Sequence, residues 1–300
     1  MTAVLALLMV ACFGTWIPLS QSVRGASQQS RIVYVAIGNM LVASVALAVG
    51  GAHLTAGWRA LWLPFAGGVA WTVGVYAAFR ATELTGLARA AGTWTPLNIV
   101  TAFVLGITLF GELARSSPAR LTVLGVALVL VVIGVLVIVG SQGAAHEARG
   151  SPTQLRAGLL WAIAAGILWG GYFVPAQWAG VSAQAGNFPL ALGILSGALV
   201  MVAAARSSLR LDAGTGAAGR IGVLVGSGAI FGIGDVVLLV VVHRLGTGVG
   251  FTVAQLSLLV NAAIGIWVLK VPPPGSRAAR VALWGVALAG SGGFMIGALR

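Results

Sequence analysis

Residues Ile221–Val242 read IGVLVGSGAIFGIGDVVLLVVV, a run of 22 residues in which Asp235 is the one formally charged side chain. At about 1.5 Å per residue such a run crosses a bilayer core of about 30 Å as a single helix. Arg220 precedes it and His243-Arg244 follow it, so both ends carry basic groups suited to lipid headgroups. Asp235 lies near the middle and is the only carboxylate of the five acids to fall well inside an apolar run. A carboxylate at that depth costs about 2.5–3.5 kcal/mol on insertion scales, so it is expected to face a polar cavity or a partner rather than lipid.

The rest of the chain extends this reading. Of its 300 residues, 59% are hydrophobic and 7% charged, with a mean hydropathy of +1.03. Soluble domains carry about 25% charged residues, so a soluble enzyme is excluded. The net charge of +12 comes from 17 basic residues, mostly single or paired between apolar runs, which is the pattern of topology-setting loops rather than of a nucleic-acid surface. Cys12 is the sole cysteine, so no internal disulfide or cysteine-based metal site can form. No HExxH pattern and no Walker loop is present, and Gly246, Gly248 and Gly250 are not followed by a phosphate-binding fingerprint. No cofactor and no metal are expected.

Hydropathy predicts ten spans, at about 2–19, 32–50, 60–79, 90–110 and 121–140, then 157–178, 188–205, 221–242, 248–269 and 281–299. The first span has no basic n-region and no small-residue cleavage site, so it reads as a helix rather than a signal peptide. The polar stretch SQGAAHEARGSPTQLR, Ser141–Arg156, is the midpoint linker.

The two halves repeat. Gly14-Thr-Trp-Ile-Pro18 matches Gly171-Tyr-Phe-Val-Pro175, and Arg120 with Leu124-Gly-Val-Ala-Leu128 matches Arg280 with Trp284-Gly-Val-Ala-Leu288. Gly74 matches Gly234, and Gly86 matches Gly246. Each copy holds an odd number of spans, so the second inserts upside down relative to the first, as in many secondary transporters. The expected fold is therefore all-α, ten transmembrane helices in two inverted five-helix repeats, residues 1–150 and 151–300. Gly14, Pro18, Gly171 and Pro175, at equivalent places near span ends, are candidate conformational residues, since a proline lacks the N–H that holds a helix together.

Phe13-Gly-Thr-Trp-Ile-Pro18, Gly86-Leu-Ala-Arg-Ala90 leading to Trp94 and Asn98, Phe110-Gly-Glu112, and Gln255-Leu-Ser-Leu-Leu-Val-Asn261 followed by Gly265 resemble the drug/metabolite transporter superfamily. Within it they are most similar to the glucose/ribose/rhamnose-type sugar porters. The resemblance covers essentially the whole chain and implies a cavity lined by spans one, three, four, six, eight and nine. The chain departs from it where the second copy would match Glu112, which here is Val271 before Pro272-Pro-Pro274. Glu112 is accordingly not assigned a mechanistic role.

Asp235 is the candidate for proton coupling or for accepting a substrate hydroxyl, because a carboxyl held away from water can load and release a proton. Asn98, Gln255 and Asn261 are candidate substrate-binding amides, able to donate and accept at once as a polyol requires. Asn39 and Gln177 are weaker members of that set, and interhelical hydrogen bonding is the competing role for every one. Trp16, Trp71, Trp94, Tyr172 and Phe231 fall on the implied lining spans and offer flat apolar faces to a sugar ring, with core packing as the alternative. Trp58, Trp62 and Trp178, near span ends, read as interface anchors. Arg80 and Glu83 are spaced to form a surface pair, and His243 beside Arg244 reads as a headgroup contact.

The expected partners are a small polar metabolite, a sugar above all, together with membrane lipid and, under proton-coupled symport, protons. A second copy of the chain is a further candidate partner. Facilitated diffusion, export of amino acids or hydrophobic drugs, and a non-transporting scaffold or sensor are the competing readings. An enzyme is not expected, since His146 and Glu147 of the linker are the only local catalytic candidates. The expected location is a bacterial plasma membrane. Odd-numbered loops hold twelve of the 17 basic residues, which orients both termini away from the cytoplasm.

Overall fold

The computed structural model describes residues 1–50, 57–85, 87–114, 116–143, 151–206, 209, 216–270 and 272–298. Gly86, Val271 and residues 144–150 of the expected linker, with His146 and Glu147, lie outside them, whereas the linker's two ends are helical, Ser141–Gly143 closing the helix that starts at Pro118 and Pro152–Arg156 opening the one that runs to Gly171. The described residues are helical almost throughout, because a chain in lipid must satisfy its own backbone N–H and C=O groups. In order the helices are α1 (Thr2–Ser22), α2 (Gln28–Val49), α3 (Trp58–Thr85), α4 (Leu87–Phe110), α5 (Pro118–Gly143) and α6 (Pro152–Gly171). They continue as α7 (Val174–Trp178), α8 (Ala183–Ala204), α9 (Ala217–Leu245), α10 (Thr247–Gln255), α11 (Ser257–Ala263), a π-helical turn Ile264–Val268, and α12 (Arg277–Ala298).

Among the described residues these make ten segments long and apolar enough to cross a membrane, in agreement with the ten expected from hydropathy. Several start about one turn earlier than hydropathy alone suggests. The Ser27 hydroxyl accepts from the Ser30 N–H at 3.1 Å, and the Ser182 hydroxyl from the Ala185 N–H at 3.3 Å. These caps let α2 and α8 begin in polar sequence that a hydropathy window passes over.

Two spans expected to be continuous are broken. The sixth stops at Gly171 and resumes as the five-residue α7, with Pro175 in the first turn where a missing N–H costs nothing. Pro18, its partner in the sequence repeat, instead lies buried inside α1. The ninth breaks after Gln255: Leu256 N–H bonds Val253 O at 3.1 Å and Leu259 N–H bonds Leu256 O at 2.9 Å, three-residue rather than four-residue spacings. It then widens into the π turn, closed by Leu269 N–H on Ile264 O at 3.0 Å.

The chain forms two compact units, each drawing on both sequence halves: Met1–Val73 with Tyr172–His243, and Gly74–Gly171 with Arg244–Arg300. In the first unit α2 packs on α8 and α9. Backbone contact between α2 and α9 is so close that a Cβ on Gly228 would lie 2.7 Å from Val35 Cα, so only glycine fits. The Arg31 guanidinium donates to the carbonyls of Ser20, Val23 and Ala26, which supplies acceptor-rich backbone at the end of α1 with donors. In the second unit α5 lies along α12, with Gly134 and Gly285 at the crossing. A Cβ on either would come within 2.6 Å of the other's carbonyl oxygen. Ile99, Phe103, Leu124, Val131, Val135 and Ile296 form its apolar core. Arg80 and Glu83 pair at 2.7 Å on an exposed face, as their spacing implied, a contact worth little to stability.

Candidate functional site

One face of α9 organises the first unit's interior. Ser227, Phe231 and Asp235 recur every four residues, the helical repeat that stacks side chains one above another, and all three are buried. The Ser227 hydroxyl donates to Trp16 O at 2.7 Å and ties this face to α1. Above it, Phe231 is the centre of an aromatic cluster. Its ring centroid lies 4.9 Å from Trp16, 5.1 Å from Trp71 and 5.8 Å from Phe13, and Trp16 is 6.4 Å from Trp71. All four pairings are tilted, a geometry rings favour over a flat sandwich. Three of the candidate aromatic residues, Trp16, Trp71 and Phe231, thus come together.

One turn further on, Asp235 Oδ1 accepts the Tyr172 hydroxyl at 2.7 Å. Tyr172 owes its position to the break between α6 and α7, which swings residue 172 out of the helical ladder. Asp235 is 1% exposed and its Oδ2 has no hydrogen-bond partner among the described residues. Such an atom is costly to bury and is therefore available to any group that brings a donor.

Two further amides share this condition. Asn39 on α2 and Asn187 on α8 are fully buried, and neither amide has a hydrogen-bond partner among the described residues. Asn39 faces α9 one turn before Asp235: a Cβ on Gly232 would lie 2.8 Å from Asn39 Oδ1. Sequence reasoning ranked Asn39 low and missed Asn187. The latter sits one residue outside the expected start of its span, and the Ser182 cap is the signal that would have brought it in. Phe13 was also missed, although its three-residue spacing from Trp16 puts both on one helix face.

The remaining substrate-binding candidates, Trp94, Asn98, Gln255 and Asn261, belong to the second unit. Trp94 meets Trp169 edge-on at 5.5 Å. With its amide nitrogen turned toward the neighbouring carbonyls, Asn98 donates to Trp94 O at 3.1 Å and Gly166 O at 2.8 Å, so its donors are spent joining α4 to α6. Gln255 and Asn261 are half-buried and have no hydrogen-bond partner among the described residues. Gln255 closes α10 and Asn261 lies in α11. Of the candidate conformational residues, Gly14 and Pro18 are buried in α1, Gly171 ends α6 against Leu105, and Pro175 opens α7. Trp58, Trp62 and Trp178 are exposed, and so is His243.

Ten apolar spans among the described residues define a multi-pass membrane protein. The chain belongs to the sugar transport protein family, whose model matches residues 4–298. That is a family of transporters and not of enzymes. The chain is 24% identical over 300 residues to a protein of Listeria innocua named as a candidate sugar uptake protein, covering 100% of this chain and 99% of the other. It is 21% identical over 203 residues to the glucose uptake protein GlcU of Bacillus subtilis, covering 68% of this chain and 67% of that one. A solved crystal structure shares the fold with a TM-score of 0.66 at 21% identity, covering 98% of this chain and 95% of the other. Ten spans and bacterial relatives locate it in a bacterial plasma membrane.

Proposed function

We propose that this protein is a secondary transporter that takes up a sugar by alternating access, coupled to protons through Asp235. The observation that carries the reading is Asp235 itself: buried in the middle of a span, with one oxygen held by Tyr172 and the other unpartnered among the described residues, one helical turn from an aromatic cluster. A sugar has one apolar face and a rim of hydroxyls. Trp16, Trp71 and Phe231 supply rings for the face, and Asp235 Oδ2 is an acceptor for a hydroxyl of the rim. The amides of Asn39 and Asn187 are proposed as further partners for the polar rim, since burial without a partner otherwise costs stability. Gln255 and Asn261, in the second unit, stand on amide chemistry alone as candidate contacts for a sugar hydroxyl.

In the coupling step, Asp235 holds a proton in one state and releases it in the other. Released without a replacement donor at Oδ2, the anion is expensive in this packing. A sugar hydroxyl or a water path offsets that cost, so proton and substrate occupancy are linked. The names of the relatives support a sugar as cargo.

Membership of the drug/metabolite superfamily and the inverted repeat belong to the same proposal. Matching contacts at the paired glycines support the repeat. A Cβ on Gly74 would lie 2.8 Å from the ring of Trp169 on α6, and one on Gly234 would lie 2.7 Å from the ring of Phe13 on α1.

The test is uptake into sealed liposomes by purified protein, with labelled sugars and amino acids, with and without an inward proton gradient. Wild type should accumulate a sugar in response to the gradient, and Asp235→Asn should still exchange that sugar but lose the response. Equal gradient dependence in both proteins would remove Asp235 from coupling. Movement of amino acids or hydrophobic cations in place of sugars would replace uptake by the export reading.

A further inference from the structure

The end of α4 is built around a carboxylate to which the uptake mechanism assigns no role. Gly111 adopts the left-handed φ of +63° common where a helix stops, and Glu112 N–H returns to Gly106 O at 3.1 Å, one residue further back than the usual closing bond of such a stop. Leu113 follows with φ +71°, an uncommon conformation for a branched side chain, and completes the reversal. The turn carries Glu112 back along α4. A Cβ on Gly106 would lie 2.9 Å from Glu112 Cδ, so the glycine leaves the room that the acid occupies.

The Glu112 carboxylate ends on the first turn of α10. Its Oε1 accepts the Thr247 N–H, and its Oε2 accepts the Gly248 N–H at 3.2 Å. The residue that would ordinarily cap this helix is Gly246, which has no side chain and sits at φ +89°. A Cβ there would lie 3.0 Å from Glu112 Cδ, so this glycine too makes way for the acid. An anion across the N-terminus satisfies two of its orphan N–H groups and lies favourably in the helix dipole.

The helix so held is only nine residues long and ends at Gln255, where the ninth span breaks. A helix that short is marginal alone and takes its position from tertiary contacts. The second contact is Gly248 against Phe103 of α4, where a Cβ would come within 2.7 Å of the ring. Both contacts tie α10 to α4.

We infer that Glu112 is a positioning residue for transport: it caps α10 from across the sequence and thereby fixes where Gln255 is presented to substrate. The part concerning substrate rests on the proposed role of Gln255, whereas the cap does not. In the sequence repeat the position matching Glu112 is Val271, whose side chain has no acceptor to offer a helix N-terminus.

Two readouts separate the parts. In purified protein in nanodiscs, hydrogen exchange is followed at residues 246–255 for wild type, Glu112→Gln and Gly106→Ala. Glu112→Gln keeps the shape and loses the charge and one acceptor, while Gly106→Ala keeps the acid and displaces it. Both should speed exchange at Thr247 and Gly248 by about ten- to a hundredfold and leave α5 and α12 unchanged. Unchanged exchange at those amides in both variants would overturn the cap, whatever the cargo is. In sugar uptake, Glu112→Gln should raise KM several-fold in the wild-type background and add little once Gln255→Ala is present. Independent effects of the two substitutions on KM would overturn the positioning role even where the exchange result supports the cap.

Discussion

The Tyr172–Asp235 contact can be weighed by a double-mutant cycle of Tyr172→Phe and Asp235→Leu. Tyr172→Phe removes one oxygen and keeps the ring, which stands edge-on to Phe173 at 5.5 Å. Asp235 then has no donor on either oxygen among the described residues, where Oδ2 is already unpartnered. A hydrogen bond to a neutral group contributes about 1 kcal/mol and one to a charged group about 1.5–3 kcal/mol. Tyr172→Phe alone is therefore expected to cost about 1–3 kcal/mol. Asp235→Leu, which exchanges a half-satisfied acid for an apolar side chain of similar length, should be neutral or stabilising even while it ends coupled transport. In that background Tyr172→Phe should cost close to nothing, because a hydroxyl facing leucine has no partner to lose. The coupling energy is then about 1–3 kcal/mol, and its size reads the state of the acid: above about 1.5 kcal/mol the carboxylate is the acceptor, below it the neutral acid. Equilibrium unfolding of the four proteins in mixed micelles gives the cycle. Equal costs of Tyr172→Phe in both backgrounds, within about 0.5 kcal/mol, would refute the claim that this bond organises the site.

Three further outcomes are expected. Phe231→Ala, at the centre of the ring cluster, should cost about 3–5 kcal/mol and raise the sugar KM at least tenfold, whereas Phe231→Tyr should retain most uptake; an unchanged KM in the alanine variant would remove the rings from binding. Gly234→Ala puts a methyl 2.7 Å from the Phe13 ring and should destabilise by about 1–3 kcal/mol. Gly226→Ala on the same helix meets nothing within 4 Å and should stabilise by about 0.5–1 kcal/mol, so thermal melts that rank the two in the opposite order would contradict the packing. Asn187→Leu removes a buried amide that has no partner among the described residues and should leave stability unchanged or higher while lowering uptake; a large loss of stability would show the amide to be structural.

Much of the architecture was legible from hydropathy because lipid leaves the backbone no alternative to helices. Asp235 was legible for the same reason, as a charge in an apolar run has few explanations. Trp16, Trp71 and Phe231 were found as flat side chains on implied lining spans, yet nothing in their spacing along three separate helices shows that they touch. Asn98 and Asn39 look alike in sequence and differ in the fold. Asn98 spends its donors on Trp94 O and Gly166 O, and Asn39 meets no partner among the described residues. The breaks at Gly171 and Gln255 escaped notice because hydropathy sums over a window and carries no hydrogen-bond pattern.

Apolar runs of bilayer length depend on each residue's own transfer free energy, so the number and order of the ten spans follow from composition along the chain, while their ends and breaks depend on caps and hydrogen bonds. Which polar groups are left over is a different kind of quantity. It depends on which donors and acceptors meet across elements distant in sequence: Tyr172 on Asp235, Glu112 on Thr247 and Gly248, Asn98 on α6. Hydrogen bonds are directional and act over about 3 Å, so their pairing was settled by packing and could not be read from residue type.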